Sequence, residues 1–255
     1  MAFACEQCDS EGMEQGAPET ASAESPILGW LVHLLTAAGA VLAFLALLAI
    51  QDRDWRLALL WLAAALAIDS VDGTLARRLR VRARVPAIDG DTLDLIVDYL
   101  NYVFVPTVLI WRAELVPAVL ALPLAALIQI SALYDFARTD LKTEDNYFRG
   151  FPALWNVVAF YLFVTQLGQF SGAIAVFVFA ALTFAPVHFV HPFRVRDYGA
   201  WLPAIAIAWA FATGALLWPD WSAAARAYLL AASAGSGALL LALGFARTLS
   251  SRHRR

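Results

Sequence analysis

The sequence predicts an all-α, polytopic integral membrane helix bundle of about eight transmembrane helices. Three observations predict it. Of the 255 residues, 61% are hydrophobic and only 15% charged, where a soluble domain carries roughly 45–50% apolar and about 25% charged residues. Mean hydropathy is +0.67. Several apolar runs reach the ~20 residues needed to cross a bilayer.

The first span is expected from Ile27 to Ile50 and the second from Trp55 to Arg80. The third covers Asp91 to Trp111, the fourth Leu115 to Phe136 and the fifth Pro152 to Leu167. The sixth runs from Gly172 to Val190, the seventh from Trp201 to Trp218 and the eighth from Ala223 to Leu249. Residues 27–250 then form one membrane domain. Residues 1–26 are expected to be a disordered acidic tail, with Glu6, Asp9, Glu11, Glu14, Glu19 and Glu24. The first 25 residues contain no Lys or Arg, so they lack the charged n-region of a secretory signal. Cys5 and Cys8 make a lone C-x2-C there. With no second pair and no nearby histidine, no metal or redox role is expected of them.

The 18 Lys and Arg residues set the orientation. Fourteen fall on one side: Arg77, Arg78, Arg80, Arg82, Arg84, Arg138, Lys142, Arg149, Arg194, Arg196, Arg247, Arg252, Arg254 and Arg255. Only Arg53, Arg56, Arg112 and Arg226 fall on the other. The richer side is expected to be cytoplasmic, and it carries both termini.

The second and third spans contain the chemistry. Asp69, Asp72, Gly73, Ala76 and Arg77 follow offsets 0, 3, 4, 7 and 8, which lie on one helix face. Gly90, Asp94 and Asp98 follow offsets 0, 4 and 8. Each helix thus presents a carboxylate stripe lined with small residues. Ionisable groups in a span are expensive and mark function by default. Carboxylates packed together repel one another and need positive charge among them. Two divalent cations would supply it, with Mg²⁺ or Mn²⁺ favoured over Zn²⁺ by an oxygen-only ligand set. Spacing alone leaves two other readings open. The acids could pair with the intervening arginines, or line a proton or cation pathway of a transporter.

The pattern D-x2-D-G-x2-A-R…G-x3-D-x3-D resembles that of the CDP-alcohol phosphotransferases. The twelve residues between Arg77 and Gly90 exceed the usual link. That long link, and the stretch from Lys142 to Asn156, look like the bacterial phosphatidylcholine synthase branch. The resemblance implies displacement of CMP from CDP-diacylglycerol by choline in a bacterial inner membrane. It implies two metal ions, Mn²⁺ or Mg²⁺, on Asp69, Asp72, Asp94 and Asp98. Asp98 would also be the catalytic base. Gly73, Ala76, Arg77 and Gly90 would contact the CDP moiety. Lys142 and Arg149 are candidates for clamping the lipid headgroup. A quaternary ammonium is held by aromatic faces, and Tyr102, Tyr134, Tyr147 and Trp155 are the candidate cage, with Tyr102 best placed, four residues after Asp98. Serine or another alcohol acceptor is the alternative within the family. No nucleic-acid partner is expected, membrane lipids are, and a homodimer is left open. His188 and His191 are read as interfacial polar residues.

Overall fold

The computed structural model describes residues 25–141, 143 and 145–252. The acidic tail with Cys5 and Cys8, and the clamp candidate Lys142, lie outside the described residues. The fold is helical: α1 (Pro26–Gln51), α2 (Trp55–Arg78), α3 (Val81–Arg84) and α4 (Gly90–Asp98) come first. A π-helical turn (Tyr99–Phe104) joins α4 to α5 (Val105–Arg112), and α6 (Ala118–Ala137) follows. After β1 (Phe148–Arg149) come α7 (Trp155–Thr165), α8 (Gln169–Phe184) and β2 (His188–Phe189). The chain closes with α9 (Trp201–Ala215) and α10 (Ala223–Arg252).

All eight expected apolar segments are helical, but five are long and apolar enough to cross a membrane. These are α1, α2, the continuous run Gly90–Arg112, α6 and α10. The other three are shorter than expected. At about 1.5 Å per residue, the 11 residues of α7 reach about 16 Å, well short of a ~30 Å hydrocarbon core. Pro152 and Ala153 stay outside α7 because they form a turn, with Ala153 at φ 48°. The sixth segment stops at Phe184 because Pro186 cannot continue a helix. Its expected end, His188–Phe189, pairs instead with Phe148–Arg149 as a short antiparallel ladder.

The run Gly90–Arg112 is one span with a defect in it. Pro106 has no N–H to give the carbonyl of Tyr102. The ladder shifts to wider spacing just before it, and the N–H of Val105 bonds the carbonyl of Leu100. π-bulges of this kind concentrate at functional sites.

The core is built around α5 and the π-turn. Val103, Val105 and Leu109 are fully buried there, against Ile128 of α6 and Trp155 and Ala159 of α7. Outward-facing positions stay apolar, including Phe44, Leu122, Phe170 and Phe211. That surface suits lipid, which cannot satisfy exposed backbone polar groups, so helices must span it. On the arginine-rich side, the β1–β2 ladder docks on α10. The backbone N–H of His188 donates to Thr248 Oγ1 at 2.7 Å. Asp145 pairs with Arg247.

Candidate functional site

The acids are placed by the end of α2 and the start of α4. Helix α2 ends at Arg77 and Arg78, whose charges suit the negative end of its dipole. The chain then turns through Arg80, which is left-handed at φ 50°. Arg84 Nε reaches back to the carbonyl of Leu79 at 2.6 Å and closes the helix end. Helix α4 starts on Asp89, whose Oδ1 accepts from the N–H groups of Asp91 and Thr92 at 3.1 and 3.2 Å. The Thr92 side chain donates to Asp89 Oδ2 at 2.9 Å. These bonds, the Thr92 hydroxyl foremost, hold the Asp89 carboxyl below its ordinary range. Asp89 is thus committed to capping and Asp91 is exposed, while Asp94 and Asp98, farther along the helix, line the pocket.

The two carboxylate stripes meet as their spacing requires. One carboxylate oxygen each from Asp69, Asp94 and Asp98 lie within 4.8 Å of one another. Asp72 lines the same pocket and is 4% exposed. Its Oδ2 accepts a 2.7 Å hydrogen bond from Thr36 Oγ1 of α1. Asp69 Oδ2 accepts one of 2.6 Å from the hydroxyl of Tyr102. The cavity between these side chains has a volume of about 10 Å³, room for one water-sized sphere.

The donor set fits a hard divalent cation. The described residues lining the pocket include four carboxylates and the Tyr102 phenol, with no His or Cys. Oxygen-only sites suit Mg²⁺ or Mn²⁺. The cluster can therefore bind a metal.

Helix α1 is the wall that sequence reasoning missed. Thr36 and Asn101 both line the pocket. The signal was present: a threonine in an apolar span, three residues before Gly39, and an amide three residues after Asp98. Gly39 is small for a reason. A Cβ there would come within 2.5 Å of Val97 on α4, so the helices could not approach closely. Gly90 answers to α1 as well, since a Cβ on it would meet His33 Cε1 at 3.1 Å.

The remaining candidates divide. Arg77 is exposed and donates to Thr74 Oγ1 at 3.2 Å, with its guanidinium beside Gly73. Ala76 is half-buried one turn beyond Asp72. Tyr102 is brought to the acids. Tyr134 is half-exposed, tilted against Phe184 and beneath Arg138. Trp155 is fully buried edge-on to Phe151. Tyr147 is fully buried, its hydroxyl donating to Asp197 Oδ2 at 2.9 Å and Arg247 lying 5.7 Å from its ring centroid. Burial raises its phenol above the ordinary value, and the bond to Asp197 adds to that. Arg149 is exposed and ion-paired with Asp140 at 3.4 Å. None of Tyr134, Tyr147, Trp155 and Arg149 lines the acid pocket. His188 and His191 are engaged beside β1, His188 edge-on to Tyr147 and His191 stacked on Phe148.

No protein-family model matches the chain. Individual proteins do. A phosphatidylcholine synthase of Pseudomonas aeruginosa is 44% identical over 188 residues, covering 74% of this chain and 79% of that protein. One from Borreliella burgdorferi is 36% identical over 171 residues, covering 67% of this chain and 73% of that protein. One from Mesorhizobium japonicum is 42% identical over 164 residues, and there the chain spans 61% of the relative's length. The chain belongs to the phosphatidylcholine synthase branch of the CDP-alcohol phosphotransferase family.

Proposed function

We propose that this membrane enzyme makes phosphatidylcholine and CMP from CDP-diacylglycerol and choline. The observation that carries the reading is the acid pocket itself. Two helices bring Asp69, Asp94 and Asp98 within one ion's reach, with Asp72 beside them. Relatives that share 36–46% of their residues with this chain and are named phosphatidylcholine synthase support the same chemistry.

Asp69, Asp72, Asp94 and Asp98 would hold two ions, Mn²⁺ or Mg²⁺. When bound, such ions polarise phosphoryl oxygens and neutralise the charge on a departing phosphate. The chain's own residues do the rest. Arg77, at the open end of the α2 stripe, is suited to bidentate contact with the CDP phosphate oxygens. Gly73 and Ala76 leave the backbone open to the CDP moiety, which Gly90, packed beside His33 of α1, is also proposed to contact. Lys142 and Arg149 are proposed to attract the lipid headgroup. Asp98 takes the hydroxyl proton of choline. The choline oxygen then forms a bond to the β-phosphorus. The bond from that phosphorus to the bridging oxygen breaks, and its electron pair leaves with CMP. Tyr102 is proposed for the aromatic surroundings of the ammonium group, with half-exposed Tyr134 next, whereas Tyr147 and Trp155 are fully buried outside the acid pocket.

The reading places the enzyme in a bacterial inner membrane. Both termini and the acids face the cytoplasm, supported by the fourteen-to-four division of Lys and Arg. Residues 27–250 would be the catalytic domain.

The test offers choline, serine, ethanolamine, glycerol phosphate and inositol phosphate to the purified chain with labelled CDP-diacylglycerol and Mn²⁺. Choline should be the preferred acceptor. Turnover of serine without choline would remove the synthase assignment and keep the transferase chemistry. No CMP release with any acceptor would favour a transporter.

A further inference from the structure

Asn101 sits in the π-helical turn, three residues after Asp98, and is 3% exposed. Its amide nitrogen donates to the carbonyl of Gly39 on α1 and to that of Val97, each at 3.0 Å. Carbonyls only accept, so these two bonds decide which end of the amide is nitrogen. The oxygen must point elsewhere. Asn101 Oδ1 is buried and accepts no hydrogen bond from the protein. Among the described residues, His33, Asp135 and Trp155 also bury an unpartnered polar atom, but of these residues only Asn101 lines the acid pocket. A buried acceptor left without a donor is destabilising unless an ion or water meets it.

The backbone around Asn101 keeps the amide in place. Gly39 lets α1 come close enough for its carbonyl to receive the amide. The π-turn carries both Asn101 and Tyr102 to the pocket, where Tyr102 meets Asp69. Both N–H bonds of the amide are spent on holding it still. What is left is one fixed, neutral, unpartnered oxygen on a residue that lines the same pocket as the four carboxylates. Neutral carbonyl oxygens are ordinary ligands of hard cations, and they add coordination without adding repulsion.

We propose that Asn101 Oδ1 is a fifth protein ligand of the metal centre, oriented by Gly39 and Val97. The inference rests on the metal-dependent reading above, and goes beyond it by naming a donor outside the aspartate pattern. Its role is to complete coordination where a further acid would only increase the negative charge.

Equilibrium Mn²⁺ binding, followed by electron paramagnetic resonance on the purified chain without substrate, tests it. Asn101→Leu keeps the volume and removes the oxygen. It should weaken Mn²⁺ binding at least tenfold, since even outer-shell changes cost metal sites 10–100-fold. Its elution and melting in EDTA should stay those of a folded protein. A folded Asn101→Leu with unchanged Mn²⁺ affinity would overturn the proposal, as expected if only a water meets this oxygen. Absence of Mn²⁺ binding by the unaltered protein would instead overturn the metal-dependent reading, and this inference with it. Should Asn101→Leu not fold, the unaltered protein still decides. The chain has three asparagines, Asn101, Asn146 and Asn156. With ¹³C at their side-chain carbonyls, infrared difference spectra on adding Mg²⁺ should show one asparagine carbonyl shifting to lower frequency. A metal-loaded protein in which no asparagine carbonyl shifts would refute the ligand.

Discussion

Replacing Thr36 by valine removes one hydroxyl and almost no volume. In the native protein that hydroxyl donates to Asp72 Oδ2 at 2.7 Å, between side chains 8% and 4% exposed. The same oxygen lies 3.4 Å from the carbonyl of Val32, a weak bond that valine also forgoes. Hydrogen bonds to a charged group contribute about 1.5–3 kcal/mol. Asp72 gains from this bond both a fixed rotamer and a link from α2 to α1. Without it the carboxylate is free to turn away from the pocket. Loss of such an outer partner weakens metal affinity about 10–100-fold, equivalent to roughly 1.4–2.7 kcal/mol. The assay is CMP release from CDP-diacylglycerol against Mn²⁺ concentration, with choline saturating. Thr36→Val should raise the Mn²⁺ requirement about 10–100-fold and recover most of its rate at high Mn²⁺. Thr36→Ser, which keeps the donor, should return the requirement close to native. A folded Thr36→Val with the native Mn²⁺ requirement would refute the reasoning, because the contact would then only join two helices.

Asp94→Asn and Asp98→Asn should each abolish turnover in a protein that still folds, since each removes a proposed ligand and the second also removes the base. Native activity in either purified variant would sink the assignment. EDTA should stop the reaction and Mn²⁺ or Mg²⁺ restore it, while Ca²⁺, with longer and looser coordination, restores it poorly; full activity in metal-free buffer would contradict this. Tyr102→Phe should raise the Mn²⁺ requirement, because the bond to Asp69 is lost, yet keep choline affinity. Tyr102→Ala should also weaken choline, by on the order of 1–2 kcal/mol if the ring faces the ammonium group; unchanged choline affinity would move the cage elsewhere. In sealed membranes, Arg82→Cys should be labelled only from the cytoplasmic side, and labelling from outside would overturn the charge-based orientation.

The helices and acids were legible in the sequence because both obey short-range periodicities. An apolar run declares a helix, and offsets of three and four put Asp69 with Asp72, and Asp94 with Asp98, on one face. The convergence of the stripes of α2 and α4 was an inference from their chemistry, and the pocket bears it out. Helix ends were less legible. The ladder at His188–Phe189 forms between segments far apart in sequence, so local apolarity misread it as the end of a span. Thr36 and Asn101 escaped for the same reason. Their importance lies in bonds to Asp72 and Gly39, on other helices, and no local pattern announces such a bond. Pro106 was visible throughout, but its effect is a change of helix type over Tyr99–Phe104, just before it, which hydropathy does not register.

Tyr147 and Trp155 show the limit of choosing aromatics by type. Both are fully buried outside the acid pocket, and Tyr147 already has Asp197 on its hydroxyl and Arg247 over its ring. Tyr102 was singled out by position as well as type, and it lines the acid pocket.

The central claim is that this pocket transfers a phosphatidyl group to choline's oxygen. It is tested most directly by supplying choline labelled with ¹⁸O in its hydroxyl to the purified chain, CDP-diacylglycerol and Mn²⁺. The account predicts phosphatidylcholine carrying the label and CMP carrying none, in equal amounts. Label in a cytidine phosphocholine ester, with phosphatidate released in place of CMP, would put the attack on the other phosphorus, and CMP released without phosphatidylcholine would contradict choline as the acceptor.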